Sequence, residues 1–198
     1  MENTSHMVLN TTFSVDFWDK CWTLVNGTLL SNKIKWITLQ ILRFILPTNY
    51  TVNQYKPGQD PGCSFCKTHP EKLETLLWGC SVVRDFWVMV GNLISNFYPQ
   101  FILRRKEAIF GDVKSEPTSV INTLLLLSGH FVWIQKFTSK KLDEVVFFNF
   151  LKSQVGLLAN VMKLKDKECK FVKEWGNILN HLGIELLENE DNLGALFH

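Results

Sequence analysis

The sequence predicts an all-α chain: a bundle of about five to six helices with a Cys-rich knuckle inserted between the second and the third. Three observations predict it. Apolar residues recur at helical spacing from Phe13 onward. No segment shows the strict alternation or the turn dipeptides of paired strands. The 198 residues are 46% hydrophobic and 20% charged, enough apolar material to bury a core. The expected organisation is a disordered polar start over 1–12, one helical domain over 13–187 that contains the knuckle 61–80, and an acidic frayed tail over 188–198.

The elements follow in order. Phe13, Phe17, Trp18, Cys21, Trp22 and Val25 mark a short amphipathic helix that Asn26-Gly27 stops. A second follows Ser31, with Ile34, Ile37, Leu39, Ile41, Leu42 and Ile45 apolar and Pro47 as its end. Residues 48–62 read as a loop. Past the knuckle, Val83, Phe86, Trp87, Val90, Leu93, Ile94 and Phe97 give a wide buried face to a third helix. A turn of chain from Phe101 to Phe110 closes at Gly111-Asp112. Glu116-Pro117 and Ser119 then open a long apolar helix through Lys140. Its core run, Val120 to Ile134, falls short of the roughly 18 to 20 residues of a membrane span. A fifth helix runs from about Leu142 to Lys165 on Val145, Val146, Phe148, Leu151, Val155, Leu158 and Met162, and Trp175 with Ile178 supplies a last short turn.

The knuckle, PGCSFCKTHPEKLETLLWGC, carries three of the five cysteines. Cys63-x2-Cys66 places two thiolates on one tight turn where both reach a single zinc ion, and Cys80 offers a third. His69 is the nearby imidazole that completes a four-ligand set if the loop folds back. Burial is the competing role, because free cysteines are among the most buried residue types. Core packing is the reading for Cys21 and Cys169.

Beyond these ligands, the segment with its Leu76-Leu77-Trp78-Gly79-Cys80 close and the following Phe86-Trp87 resembles the zinc-binding region that follows the polymerase in LINE-type (non-LTR) retrotransposon reverse transcriptases. Cys63, Cys66, Glu71, Glu74, Leu76, Leu77, Trp78, Cys80, Phe86 and Trp87 match that family's pattern. Trp22, Asn32, Lys33, Trp36 and Leu46 upstream and Lys173-Glu174-Trp175 downstream extend the match loosely over most of the chain. Thr75 is the departure, standing where the family's ligand histidine falls. The ligand set that the resemblance implies therefore survives at Cys63, Cys66 and Cys80. The resemblance implies zinc as cofactor, a template RNA or target DNA as partner, and the polymerase domain of a parent retrotransposon protein as neighbour.

Charge alone decides no function, since +2 at pH 7 is far from the excess of strong polyanion binders. Local clusters are more informative. Lys163, Lys165, Lys167, Lys170 and Lys173, with Arg104, Arg105 and Lys106, are the candidate phosphate contacts, and Lys136, Lys140 and Lys141 join them. Interleaved Asp143, Glu144, Asp166, Glu168 and Glu174 dilute the field, and lysines at helix ends also complement the helix dipole. An enzyme is not expected. There is no Asp-Asp pair for a polymerase palm, and no P-loop, G-x-S-x-G, H-E-x-x-H or G-x-G-x-x-G. Neither a membrane nor a small-molecule substrate is an expected partner. An odd cysteine count and no signal-peptide pattern fit an intracellular compartment, cytoplasmic or nuclear. The expectation is a non-catalytic nucleic-acid-binding accessory domain, a fragment or remnant of a retrotransposon protein that lacks the polymerase and endonuclease. The alternative is a docking module, since seven tryptophans and fifteen phenylalanines exceed what a small bundle must bury.

Overall fold

The structure, a computed structural model, describes residues 13–116, 118–138 and 141–183. The expected disordered start, the acidic tail, Pro117 and Lys140 lie outside the described residues. Within them the regular secondary structure is helical: α1 (Val15–Gly27), α2 (Asn32–Leu42), α3 (Asn49–Tyr55), α4 (Ser81–Phe97), α5 (Arg105–Phe110), α6 (Val120–Thr138), α7 (Glu144–Leu164) and α8 (Glu168–His181), plus one π-helical turn, Thr75–Gly79. The strand-like geometry among the described residues is one antiparallel bridge, Gly62 with Pro70, inside the knuckle. Two compact units divide the chain, Met1–Asp143 and Glu144–His198. The sequence, which reads 13–187 as one domain, carries no mark of that boundary.

In the first unit α1 starts where Ser14 accepts a hydrogen bond from the Phe17 N–H at 3.2 Å. The α2 helix ends at Leu42, short of the expected Ile45. Phe44 takes a left-handed conformation (φ 55°) there, so the chain has already left the helix before Pro47. The segment expected as loop holds α3. Its Thr48 accepts from the Thr51 N–H while the Thr51 hydroxyl accepts from the Thr48 N–H, a reciprocal cap on a helix with no fully buried residue and hence no apolar stripe to betray it. This extra helix moves the knuckle from the expected second interval to the one between α3 and α4.

The α6 helix is the centre of this unit. Fourteen of its 19 residues are buried, and α2, α4, α5 and the π turn pack on it. Phe131 on α6 stacks on Phe86 of α4 with ring centroids 5.6 Å apart. At the far end Phe13, Phe17 and Trp18 surround the buried Phe110 edge to face. Gly111 must be glycine there. Its φ is +81°, and a Cβ would meet the Leu24 side chain at 2.8 Å.

His130, buried within α6, gives this core a pH dependence. Burial, with the Lys33 ammonium adding to it, pushes its imidazole down to about 4, so the folded chain holds it neutral. The unfolded chain protonates first, near the ordinary 6.5. Stability is therefore full above that value and falls as pH drops from about 6.5 toward 4, by up to roughly 3 kcal/mol. Urea midpoints taken in chelator across that window should decline, and His130→Leu should flatten the decline. An equal decline in the variant would show that another group is responsible.

In the second unit α7 and α8 pack on each other. Asp166, left-handed at φ 53°, turns the chain between them. The buried residues of α7 are Phe147, Leu151, Val155, Leu158 and Met162. Val145 and Val146, expected on that face, are exposed, because the register that buries Leu151 and Val155 takes Phe147 one helical turn earlier. The expected short turn at Trp175 is a full helix of 14 residues. Phe171, Trp175, Ile178 and Leu179 form its buried stripe, and a face crowded with Lys, Glu and Asn hides it from average hydrophobicity. The α7 helix is long and apolar enough to cross a membrane by length and composition, with 28% of its most apolar stretch buried.

Candidate metal centre

The knuckle brings Cys63, Cys66 and Cys80 together, with their three sulfurs within 4.8 Å of one another. Two local structures do this. The Cys63 N–H donates to the His69 carbonyl at 2.8 Å and the Lys67 N–H to the Cys63 carbonyl at 3.0 Å, which folds C-x2-C into a tight turn over the Gly62–Pro70 bridge, with Lys67 left-handed at φ 59°. Cys80 arrives through the π turn, where its N–H donates to the Thr75 carbonyl at 3.0 Å, an i to i+5 bond. Single π turns of this kind recur at functional sites because the extra residue re-aims one side chain.

Cys63 and Cys80 are fully buried, while Cys66 is partly open to solvent. Their chemistry differs accordingly. Burial pushes the Cys63 thiol up to about 12. The Thr68 hydroxyl, donating to the Cys66 sulfur at 3.1 Å, outweighs that sulfur's slight burial and draws its thiol down to about 6. A buried thiol next to a ready thiolate suits a soft cation, whose charge deprotonates the first and neutralises the second. The donor set is three sulfurs, which could hold a metal ion and leave a position for a further ligand.

His69 does not supply that ligand in this arrangement. It is exposed and takes part through its backbone carbonyl, while the set of close donors among the described residues is the three cysteines. Thr75 begins the π turn and is bonded backbone to backbone with Cys80, the place from which a side chain at this position shares a turn with the third thiol. Cys21 is fully buried, and burial pushes its thiol up to about 12, in keeping with core packing. Cys169, expected in the core, is exposed on α8, where Phe171 and Trp175 take the buried stripe.

Comparison with family models, curated proteins and solved structures gives no match.

The candidate phosphate contacts fall in two groups. Lys163, Lys165, Lys167, Lys170 and Lys173 are exposed around the α7–α8 turn, with Lys170 3.6 Å from Glu174. Arg104 is exposed at the N-cap position of α5 without a side-chain capping bond, Arg105 pairs with Glu74 at 2.6 Å beside the π turn, and Lys106 lies 3.5 Å from Glu107. Lys136 is not a phosphate contact. Its side chain is 5% exposed and its ammonium bonds the fully buried Glu71 carboxylate at 2.5 Å and the Pro47 carbonyl at 3.1 Å.

Glu71 is what sequence reasoning missed. One carboxylate oxygen accepts from Lys136 and from the Asn49 N–H (3.0 Å) that opens α3, and the other accepts from the Ser64 N–H at 2.7 Å, inside C-x2-C. Asn49 adds bonds from its side-chain amide to the Gly62 carbonyl and the Ser64 hydroxyl. A charged residue at zero exposure needs such partners, and the family-like pattern through Glu71 was the one signal of it. Its partner Lys136, 65 residues away, left no trace in the sequence.

Proposed function

We propose that the chain is a non-catalytic, zinc-binding helical accessory module that holds RNA or DNA, of the kind its resemblance to the retrotransposon reverse transcriptase zinc-binding region implies. The observation that carries it is the convergence of Cys63, Cys66 and Cys80, distant by up to 17 positions in sequence, into one set of sulfurs within 4.8 Å. Zinc held there clamps the knuckle, and the exposed lysines around the α7–α8 turn supply phosphate contacts. Metal content by mass spectrometry on protein purified without chelator should give about one zinc per chain, absent from Cys63→Ser. No zinc in the parent protein would remove the metal from this reading.

Two further results are expected. A structural zinc site is worth about 10–16 kcal/mol over four ligands. Thr75→His, which adds an imidazole one π turn before Cys80, should therefore raise zinc affinity by about a hundredfold and raise thermal stability with it. Competition against a chromophoric chelator measures the first, and an unchanged affinity would show that position 75 does not face the ion. For the nucleic acid, log K against log salt for a single-stranded oligonucleotide should lose about 3 to 4 from its slope when all five lysines from Lys163 to Lys173 become alanine. Parallel lines for the two proteins would place the phosphate contacts elsewhere.

The alternative, a docking module, is favoured by one observation: Val145, Leu157 and Leu164 expose apolar side chains along α7. Sedimentation at rising concentration separates the readings, since self-association with no oligonucleotide retention belongs to the docking module.

A further inference from the structure

Glu71 joins three elements that otherwise share no covalent neighbourhood: the C-x2-C turn through the Ser64 N–H, the start of α3 through the Asn49 N–H, and α6 through the Lys136 ammonium. Its backbone extends the same junction, with its N–H on the Pro61 carbonyl at 2.8 Å and its carbonyl accepting from the Tyr50 N–H at 3.2 Å. The carboxylate is fully buried and its charge is matched inside the protein. An arrangement of this kind fixes the knuckle from the protein side. A metal finger without it relies on the ion to order the ligands, whereas here the turn that bears Cys63 and Cys66 is bonded to the core through a group that is not a ligand.

We infer that Glu71 is a positioning residue for the thiolate site: by accepting the Ser64 N–H while anchored to Lys136, it holds Cys63 and Cys66 in ligand geometry before any metal arrives. The inference rests on the metal reading above only for what the preformed site is used for. Outer-shell groups that hold metal ligands in position, without touching the metal, typically change metal affinity by 10- to 100-fold when removed, and Glu71 is placed to do this through the Ser64 N–H between the two ligands.

The test compares the parent protein with Glu71→Gln/Lys136→Met, which removes both buried charges together while keeping side-chain volume. Cobalt(II) is titrated and read by its thiolate charge-transfer band, and alkylation of Cys63 by iodoacetamide is followed by peptide mass spectrometry in chelator. Thermal melts establish that the variant is folded. The expected result is a folded variant that binds cobalt 10- to 100-fold more weakly and in which metal-free Cys63, fully buried in the parent, alkylates at least about tenfold faster. A folded variant with unchanged cobalt affinity and unchanged Cys63 protection overturns the inference. If the parent shows no cobalt–thiolate band, the metal reading fails, and Cys63 protection alone then decides whether Glu71 positions the turn. If the double variant does not fold, Glu71→Gln, which keeps the packing and one acceptor oxygen, decides it by the same two readouts.

Discussion

Replacing Trp87 by alanine should lower the stability of the first unit by about 3–5 kcal/mol, with a fall in melting midpoint on the order of 10 °C. Trp87 is among the largest fully buried side chains, so truncation leaves a cavity lined by a core that cannot close over it. A second loss adds to the first. The indole N–H donates to the Leu77 carbonyl at 2.7 Å, and Leu77 lies inside the π turn that delivers Cys80. The alanine variant leaves that buried carbonyl without its donor, in the turn whose backbone already departs from ordinary helix geometry. Trp87→Phe separates the two contributions: it keeps most of the ring and loses the donor, and should cost about 1–3 kcal/mol. Urea unfolding followed by tryptophan fluorescence and far-UV dichroism measures both. A cost below about 1 kcal/mol for the alanine variant would mean that Trp87 does not hold the π turn to α4.

Lys136→Ala should be as damaging, by about 3–5 kcal/mol, because it strands the Glu71 carboxylate in a site with no access to water. In the parent protein burial works against the Glu71 charge, but the Lys136 ammonium and the bonds from Ser64 and Asn49 prevail and hold its carboxyl below the usual glutamate range. The sign follows directly. A carboxyl titrating lower in the folded than in the unfolded chain contributes stability that is present above the ordinary glutamate value and lost as pH falls through it into the lowered range. Lys136→Ala removes the main opposing charge, so this acid-labile contribution should shrink in the variant while stability at pH 7 drops. Exchanging both charges for neutral groups should instead restore most of the loss, since a buried ion pair roughly offsets its own desolvation. Denaturant midpoints at pH 7 and pH 4 for the parent, the single variant and Glu71→Gln/Lys136→Met test this. A single variant as stable as the parent at pH 7 would show that water reaches Glu71.

The acid response thus has two parts. The His130 window lies between about 6.5 and 4, where a buried neutral imidazole resists protonation, and the Glu71 window opens at the ordinary glutamate value of 4.5 and extends below it. Variants at the two residues should remove different segments of one curve.

The sequence alone determined the helical class. The apolar spacing of Cys21 and Val25 in α1, of Val83, Phe86, Trp87 and Val90 in α4, and of Leu151, Val155, Leu158 and Met162 in α7 is local information, and local periodicity is what selects a helix and its buried face. It also determined three thiol donors at zinc-ligand spacing, because C-x2-C is closed by its own turn. Tertiary structure decided the rest. Seven-residue α3 has no fully buried residue, so its existence depends on a cap at Thr48 and on Glu71 at its first N–H, partners that no periodicity reveals. His69 was expected to complete one set with Cys63, Cys66 and Cys80, and the π turn brings Cys80 to the C-x2-C pair while His69 stays outside the group of close donors. Lys136 carried the same charge as the solvent-facing lysines, yet it is a core residue because a buried carboxylate waits for it on the knuckle. Burial and long-range pairing are properties of the packed chain: a side chain's charge is written in the sequence, but whether water or a counter-charge meets it is settled only when distant segments close around it.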